Sequence, residues 1–386
     1  MDAQVTAVIP RALNEIPEFR RNNCRHRLFD LLVIALFAIL SGADDWVAVE
    51  AYGRRKEQWL KTFLELPHGI ASHDTFNDLF SRLNPEPFEK CFMQWMGDLV
   101  KASGGKLIAI DGKSLRRSFE HGWDKSGMAH IVSAFLSANR MVFAQVNTEG
   151  KGHELDGVEK LLAILDLRGA IVTIDALGCN RRIVELIKEN KGDYILQVKG
   201  NQEHLLEKLR ATMDEAILLK FQGMEHDRWV SEVEAEHGRM EQRKVWVTWD
   251  LSGLGKLAKE WKGLKCLIVV ESSRTVYKGK DLAETTVTRH YYISSLNRRH
   301  CAKRIGQCVR GHWSVENNLH WQLDVSFNED QRRLRIGYGA ENFSRLCRMA
   351  LNLLKRESTE KAGIANKRRI CGWDNQYLLK VLQIIS

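Results

Sequence analysis

Two short apolar runs, each followed directly by an aspartate, constrain the fold of this chain most. Residues 107–110 read LIAI before Asp111, and residues 171–174 read IVTI before Asp175. A short, continuous apolar run bounded by turn-forming residues is typical of a strand buried on both faces. The carboxylate that follows such a strand lies at the rim of a sheet, where α/β folds bind their ligands.

The neighbouring patterns extend this into a sheet covered by helices. Apolar runs indicate strands, and amphipathic spacing indicates helices near residues 155–165 and 180–190, so that the order from residue 103 to residue 202 is β-β-β-α-β-α-β. This order predicts a mixed sheet flanked by helices, an α+β or α/β fold. A region rich in Val, Trp and Thr follows and predicts further strands.

The rest of the chain predicts a division into four regions. Helical patterns dominate the N-terminal part, including a buried helix at 28–40 and two helices on either side of Asn84-Pro85, the first of which has Ser72 as its expected N-cap. Those two helices fit a helix-turn-helix reader of DNA, and an ordinary helical hairpin is the alternative. The predicted regions are an N-terminal helical domain with possible DNA binding (1–102), the sheet domain (103–202 and 290–330), a β-rich insertion (203–289) and a basic helical C-terminal region (331–386).

The charge of the chain favours an anionic partner. There are 58 Lys and Arg against 49 Asp and Glu, a net charge of +9, and nucleic acid is the leading candidate. Residues 331–369 hold 11 Lys or Arg against 3 Glu, which is nearly the whole excess. Such a cluster fits contact with a phosphate backbone, although a charge run is usually a solvated face.

Cysteine usage and hydropathy predict a cytoplasmic protein. The 8 cysteines are scattered without zinc-type spacing, which indicates free thiols in a reducing compartment. We expect no signal peptide at the start of the sequence, and the longest apolar run, at 31–43, is short for a membrane span. No membrane partner is therefore expected.

The helical pattern after Ala302 supplies a third candidate carboxylate. At about 100° per residue, Glu316 and His312 fall on the same face as apolar residues, so we expect both to be buried. A buried carboxylate needs a partner or a metal ion. Glu316 is then either paired with His312 four residues away or completes a Mg²⁺ site with the two aspartates. A zinc box made of His312, Glu316 and His320 is less favoured, because its spacing differs from that of zinc hydrolases.

Four strings together resemble a known family. IAIDGKSLRRS (108–118), VTIDALGCNRRI (172–183), DYILQVKGNQ (193–202) and GHWSVENNLHWQLDVSFNED (311–330) are similar to bacterial insertion-sequence transposases of the DDE class, in the H-repeat-associated (ISAs-type) branch. The resemblance implies a ribonuclease H-like catalytic domain and Mg²⁺-dependent cleavage and strand transfer by a two-metal mechanism. Mn²⁺ is expected to substitute for Mg²⁺.

The resemblance also assigns residues. It implies that Asp111, Asp175 and Glu316 are the catalytic, metal-binding carboxylates, and it places the family's Lys-Gly-Asn turn at 199–201. Where the wider group has Tyr, Arg and Lys around the Glu, this chain has Val309, His312 and Leu323. The candidate DNA-binding residues are Lys113, Arg116, Arg117, Lys199, Asn201, Arg310, His312, Trp313, His320, Arg332, Arg333 and Arg335. Trp313 or Trp321 would suit stacking on an unpaired base near the cut end, although tryptophans in such a pattern are more often core residues.

The resemblance implies DNA as a partner, both the terminal repeats of the element and the target DNA. It also implies a second copy of the chain, in a homodimer bound to DNA. Such a protein is expected in the cytoplasm, associated with the nucleoid. Two alternatives remain open from the sequence. One is an inactive or domesticated DNA-binding protein derived from a transposase, and the other is a nuclease that cuts without joining.

Overall fold

The computed structural model describes residues 11–21, 24–102, 107–118, 128–138, 140–148, 151–236, 239–278, 282–297 and 301–383. The chain divides into two compact units. We call the one that contains Met1–Gly105, Gly112–Gly157 and Ser314–Ser386 the helix-rich unit, and the one that contains Lys106–Asp111 and Val158–Trp313 the sheet unit. The four predicted regions and their boundaries stay a prediction.

The regular elements have the following bounds. The strands are β1 (Leu107–Ser114), β2 (His130–Leu136), β3 (Met141–Thr148), β4 (Ile171–Ile174), β5 (Asp193–Val198), β6 (His226–Val230), β7 (Glu234–Glu236), β8 (Arg239–Thr248), β9 (Cys266–Lys278) and β10 (Leu282–Ser294). The α-helices are α1 (Leu28–Leu40), α2 (Trp46–Leu60), α3 (His73–Arg82), α4 (Pro85–Ala102), α5 (Glu154–Ile164), α6 (Arg181–Glu189), α7 (Glu203–Leu218), α8 (Ala302–His312), α9 (Trp321–Phe327), α10 (Gly339–Arg356), α11 (Ile364–Trp373) and α12 (Asn375–Gln383). The predicted order β-β-β-α-β-α-β is confirmed.

The sheet unit is built on a mixed sheet, as predicted. Strands β1, β4 and β5 are parallel neighbours, and the antiparallel strands β10, β9, β8 and β6 continue the sheet beyond β5. The two long strands β9 and β10 pair along their whole length, and Tyr291–Ser294 of β10 pair with β5. The strands predicted after residue 220 are thus confirmed, and they join the same sheet as β1, which contains Asp111, and β4, which Asp175 follows.

One face of this sheet carries the core of the unit. Residues at alternate positions of its strands are buried on this face. Ile268 of β9, Val247 of β8 and Ile195 of β5, for example, pack against the apolar side of α8. On α8 that side is formed by Ile305 and Val309. Because side chains alternate along a strand, this packing also decides which polar residues face α8.

The helix-rich unit has two principal parts, a hairpin of β2 and β3 and a group of helices around α1 and α10. The predicted buried helix at 28–40 is confirmed as α1, whose residues are buried on all sides. Ser72 caps α3, as predicted, by accepting a hydrogen bond from the Thr75 N–H. Aromatic packing of Trp46 on Phe80, with ring centroids 4.6 Å apart, joins α2 to α3. No described helix is both long and apolar enough to cross a membrane.

The helical pattern at 302–327 is interrupted, which corrects one expectation. Helix α8 ends at His312, and a π-helical turn, Glu316–His320, precedes α9. Leu319 and Leu323 are buried as predicted, whereas Glu316 is exposed. The prediction that Glu316 is buried was wrong because the helix ends at His312 and the chain continues into a π-turn at Glu316, so the 100° spacing is not continuous between these two residues.

Part of the basic C-terminal charge is internal, which corrects a second expectation. Four of the cations at 331–369 are buried and ion-paired, so they do not face a phosphate backbone. Their partners are buried or half-buried carboxylates, because an unpaired buried charge is costly. The pairs are Arg345 with Glu89 and Glu341, Arg348 with Glu329, Lys367 with Glu357, and Arg368 with Asp44.

Candidate functional site

Asp111 and Asp175 follow the last paired residues of two neighbouring strands. In the register of the parallel strands β1 and β4, Ile110 is the partner of Ile174, so Asp175 comes just after the end of β4, whereas Asp111 lies within β1, which continues to Ser114. Adjacent strands lie about 4.8 Å apart. Two carboxylates at such neighbouring positions repel each other unless a cation or a proton is shared between them.

The backbone after β4 holds the Asp175 carboxylate. Its Oδ1 accepts a hydrogen bond of 3.0 Å from the Leu177 N–H and so caps the short 3₁₀ turn Ala176–Gly178. A side chain at Gly178 is excluded, because its Cβ would lie 2.3 Å from Cγ2 of Ile174. The turn is therefore fixed by packing as well as by hydrogen bonding.

The predicted Lys-Gly-Asn turn braces this segment from the next strand. The Asn201 amide donates to the Ala176 carbonyl over 2.7 Å, and the Gln202 amide donates to the Cys179 carbonyl over 3.0 Å. Lys199, in the same turn, is exposed. The structure thus gives Asn201 an internal partner and leaves the Lys199 side chain at the surface.

We expect this difference to be measurable. Asn201→Ala removes a hydrogen bond worth about 1 kcal/mol and should lower the melting temperature, followed by circular dichroism, by a few degrees. Lys199→Ala should leave the melting temperature unchanged. Equal melting temperatures for both variants would show that the Asn201 amide does not brace the segment after Asp175.

His312 lies on the same face of the sheet as Thr173. Its Nδ1 is 3.1 Å from Oγ1 of Thr173. Burial lowers the pKa of His312, and the negative charge of Asp111 opposes that shift only in part, so the imidazole is neutral at neutral pH. His312 also lines a cavity of about 20 Å³ together with Gln197 and Tyr292, which has room for about one water molecule.

Glu316 and His320 lie together in the helix-rich unit. A carboxylate oxygen of Glu316 is within 4.8 Å of a ring nitrogen of His320. Glu316 is exposed and His320 is buried. The π-turn thus presents the carboxylate outward with an imidazole beside it.

Three acidic residues that the sequence reasoning missed surround Lys113. Its ammonium group forms an ion pair with Asp324 and lies 3.6 Å from Glu329 and 3.9 Å from Asp330. Arg116 pairs with Asp330 over 3.1 Å. All three acids lie within the family-like string at 311–330. Their position in that string was the one sequence feature that could have identified them. The charge of Lys113 is therefore matched within the protein, while Arg117 is exposed.

The remaining candidates differ in how much of their surface is available. The two tryptophans are more than half exposed, at 57% for Trp313 and 54% for Trp321, which is unusual for residues that most often form part of a core. Arg310 pairs with Glu234 over 2.8 Å. Arg332 is half-buried, with its guanidinium over the Phe343 ring, whereas Arg333 and Arg335 are exposed.

Comparison with known proteins gives the chain a family. Residues 102–353 match the family described as "Transposase DDE domain", and residues 11–96 match the one described as "DDE_Tnp_1-associated". The chain is 37% identical over 375 residues to "Putative transposase YncI" of Escherichia coli O157:H7, covering 97% of this chain and 94% of the relative. It is also 37% identical over 371 residues to "H repeat-associated putative transposase YhhI" of Escherichia coli (strain K12), covering 95% of each.

A solved structure is similar at a lower level. The cryo-EM structure of the piggyBac transposase synaptic complex with hairpin DNA aligns with this chain at a TM-score of 0.38 and 14% identity. The alignment covers 98% of this chain and 79% of the piggyBac transposase chain. The family assignment depends on the sequence matches, which extend over most of the chain, and the predicted resemblance is confirmed by them. The chain belongs to the transposase DDE domain family and is similar to its H repeat-associated members.

Proposed function

We propose that this chain is an active DNA transposase that cleaves DNA at the ends of an insertion sequence and joins those ends to target DNA. Membership of the DDE domain family implies a divalent metal ion and a DNA-processing enzyme. The observation that supports the proposal further is the register of β1 and β4, in which Asp111 and Asp175 directly follow the paired residues Ile110 and Ile174 of neighbouring parallel strands. A ribonuclease H-like sheet, with an antiparallel hairpin followed by parallel strands, is part of the proposal.

Asp111, Asp175 and Glu316 are the proposed metal ligands. Hard divalent ions such as Mg²⁺ prefer carboxylate oxygens and retain several waters, and Mn²⁺ accepts the same donors. The fit is supported by two like charges on neighbouring strands, whose repulsion a cation would relieve. When bound, two such ions would generate a nucleophile from water or a 3′-hydroxyl and stabilise the leaving oxygen.

The surrounding residues supply positioning. The Leu177 N–H fixes one oxygen of Asp175, and Asn201 holds the turn that contains this N–H. Neutral His312, bonded to Thr173, fills the space behind the strand ends without adding a positive charge. His320, beside Glu316, is placed to orient that carboxylate.

Exposed cations and aromatic rings are the proposed DNA contacts. The candidate cations and rings that the structure leaves exposed are Arg116, Arg117, Lys199, Arg310, Trp313, Trp321, Arg333 and Arg335. Guanidinium groups bind phosphates with a planar pair of N–H donors, and an exposed indole suits stacking on an unpaired base. Assembly as a homodimer on DNA also belongs to the proposal.

The direct test is incubation of the protein with its own element ends and Mg²⁺, scoring nicked and joined products. Joined products, dependent on the metal, support the proposal. Nicks without joining would identify a nuclease. Binding of the ends without nicks would identify an inactive DNA-binding copy.

The C-terminal arginines provide a separate prediction. Arg333→Ala with Arg335→Ala should weaken binding to every DNA sequence alike and reduce the slope of log K against log salt by about 2, because each lost phosphate contact removes about 0.9. Binding is measured by fluorescence anisotropy over a salt series. Lys361→Ala, another exposed cation of the same region, is the control. An unchanged slope would show that this charge is only a solvated face.

A further inference from the structure

A groove lined by cations runs along the sheet unit between α7 and the antiparallel strands. It consists of two cavities, of about 390 and 240 Å³, and Arg289 lines both, so the two adjoin. We call this surface the cationic groove, and its cations are Lys199, Arg210, Arg289, Lys244, Arg228 and Lys220. Their total charge is too large to be matched by the carboxylates that line the two cavities.

The larger cavity contains one carboxylate for four cations. Glu271 accepts from Lys244 over 3.2 Å and from Arg289 over 2.9 Å. Arg289 also pairs with Asp214 over 3.1 Å. Within the part of the chain that the structure describes, neither Lys220 nor Arg228 has a carboxylate within ion-pair distance. The groove therefore keeps a net positive charge.

Aromatic rings hold the arginines of the groove in place. The Arg228 guanidinium lies over the Trp246 ring at 5.8 Å from its centroid, and the Arg210 guanidinium lies over Tyr291 at 5.6 Å. Arg210 and Arg228 are exposed. A stacked guanidinium keeps its N–H groups available at its edge, which suits the binding of phosphate oxygens.

The turn after α7 fixes the position of Lys220. Lys220 and Phe221 both have left-handed backbone conformations, with φ of 51° and 56°. Phe221 is buried and stacks on His226 with ring centroids 4.4 Å apart. Non-glycine residues keep such φ values only where the surrounding packing imposes them. Lys220 is thus presented at the groove by a packed turn.

The side of the groove formed by Arg289 and Tyr291 lies on the opposite face of the sheet from His312, and Gln197 lines both the groove and the cavity beside His312. Tyr291 lines the groove, whereas its neighbour Tyr292 lines the cavity beside His312 and Thr173, and successive residues of a strand point to opposite faces. Lys199, at one end of the groove, follows β5 at the same sheet edge as Asp175. The groove thus begins near the strand ends and leads away from them.

We propose that the cationic groove binds the phosphate backbone of a DNA segment that lies outside the three-carboxylate site. Two adjoining cavities lined by a row of cations suit a polyanion better than a small anion, because the charges follow one another along the surface. The inference deepens the proposed transposase function and rests on it, since DNA is the substrate of that function.

The test compares two variants of the full-length chain with equal loss of charge. Lys220→Gln with Arg228→Gln should weaken binding to a short random-sequence duplex and reduce the salt slope by about 2. Lys160→Gln with Lys191→Gln, exposed cations of the sheet unit outside both cavities, should leave the slope unchanged. Binding is measured by fluorescence anisotropy without divalent metal, and melting temperatures confirm that both variants are folded. Equal slopes for the two variants would overturn the proposal.

A second arm distinguishes DNA from a small phosphate ligand. Inorganic phosphate or ATP, added at constant ionic strength, should not displace the duplex from the unmodified protein. Saturable displacement that is lost in the Lys220→Gln, Arg228→Gln variant would assign the groove to a small phosphate and overturn the proposal. Because the readout is binding, the outcome is separate from catalysis. A protein that fails to cleave element ends can still show the slope change, and an active transposase can fail to show it.

Discussion

Asp111→Asn, Asp175→Asn and Glu316→Gln are each expected to abolish cleavage of the element ends while leaving binding of those ends largely intact. Each substitution removes a charged metal ligand and keeps the size of the side chain. Replacing residues that only hydrogen-bond to metal ligands already lowers metal affinity or activity by about 10- to 100-fold. For replacement of a ligand itself we expect a loss of at least about 100-fold in the cleavage rate. The rate is measured on labelled ends with Mg²⁺ and again with Mn²⁺.

The matched controls change the same functional groups elsewhere. Asp156→Asn and Glu207→Gln alter exposed carboxylates that the proposal does not use, and their cleavage rates should equal that of the unmodified protein. A normal rate in any one of the three site variants would remove that residue from the proposed metal site. Loss of end binding together with cleavage would instead indicate a folding defect, which the melting temperature detects.

Arg345→Met is expected to destabilise the helix-rich unit strongly. The Arg345 side chain is buried on α10 and pairs with Glu89 over 2.7 Å and with Glu341 over 3.0 Å. Removing one partner of a buried ion pair costs about 3–5 kcal/mol, because the other charge stays buried without compensation. This corresponds to a decrease of about 10 °C in melting temperature.

The control for this prediction is Arg333→Met, which removes an exposed guanidinium from the same basic region and should change the melting temperature little. The measurement is thermal unfolding followed by circular dichroism. A shift of about one degree or less for Arg345→Met corresponds to less than 1 kcal/mol. That result would show that the ion pair contributes little to the stability of this unit.

The strands and the first buried helix could be predicted because their signals are local. The runs before Asp111 and Asp175 and the apolar stretch of α1 each contain their own evidence, as continuous burial requires continuous apolar sequence. The sequence does not predict that β1 pairs with β4 or that β1 continues past Asp111 to Ser114, because strand pairing is set by the fold. Helix α3 and its Ser72 cap were predictable because their signals are also local.

The features that could not be predicted depend on distant partners or on irregular backbone. Arg345 and Arg333 have the same charge in the sequence, and only the folded chain, which brings Glu89 to Arg345 across 256 positions, distinguishes a structural cation from a surface one. The π-turn that exposes Glu316 has no sequence signal comparable to helical periodicity. The acids around Lys113 are likewise brought together by the fold.

The discontinuous make-up of the helix-rich unit bears on how the protein is made. Arg368 of α11 donates hydrogen bonds to the carbonyl groups of Ile39 and Ala43, so a helix late in the sequence completes the surroundings of α1, which is early in the sequence. During translation, α1 leaves the ribosome long before α10 and α11, the helices that later cover it. A premature stop codon late in the gene would therefore expose the apolar surface of α1. Chains that end before α10 are therefore expected to aggregate or to be removed by proteases.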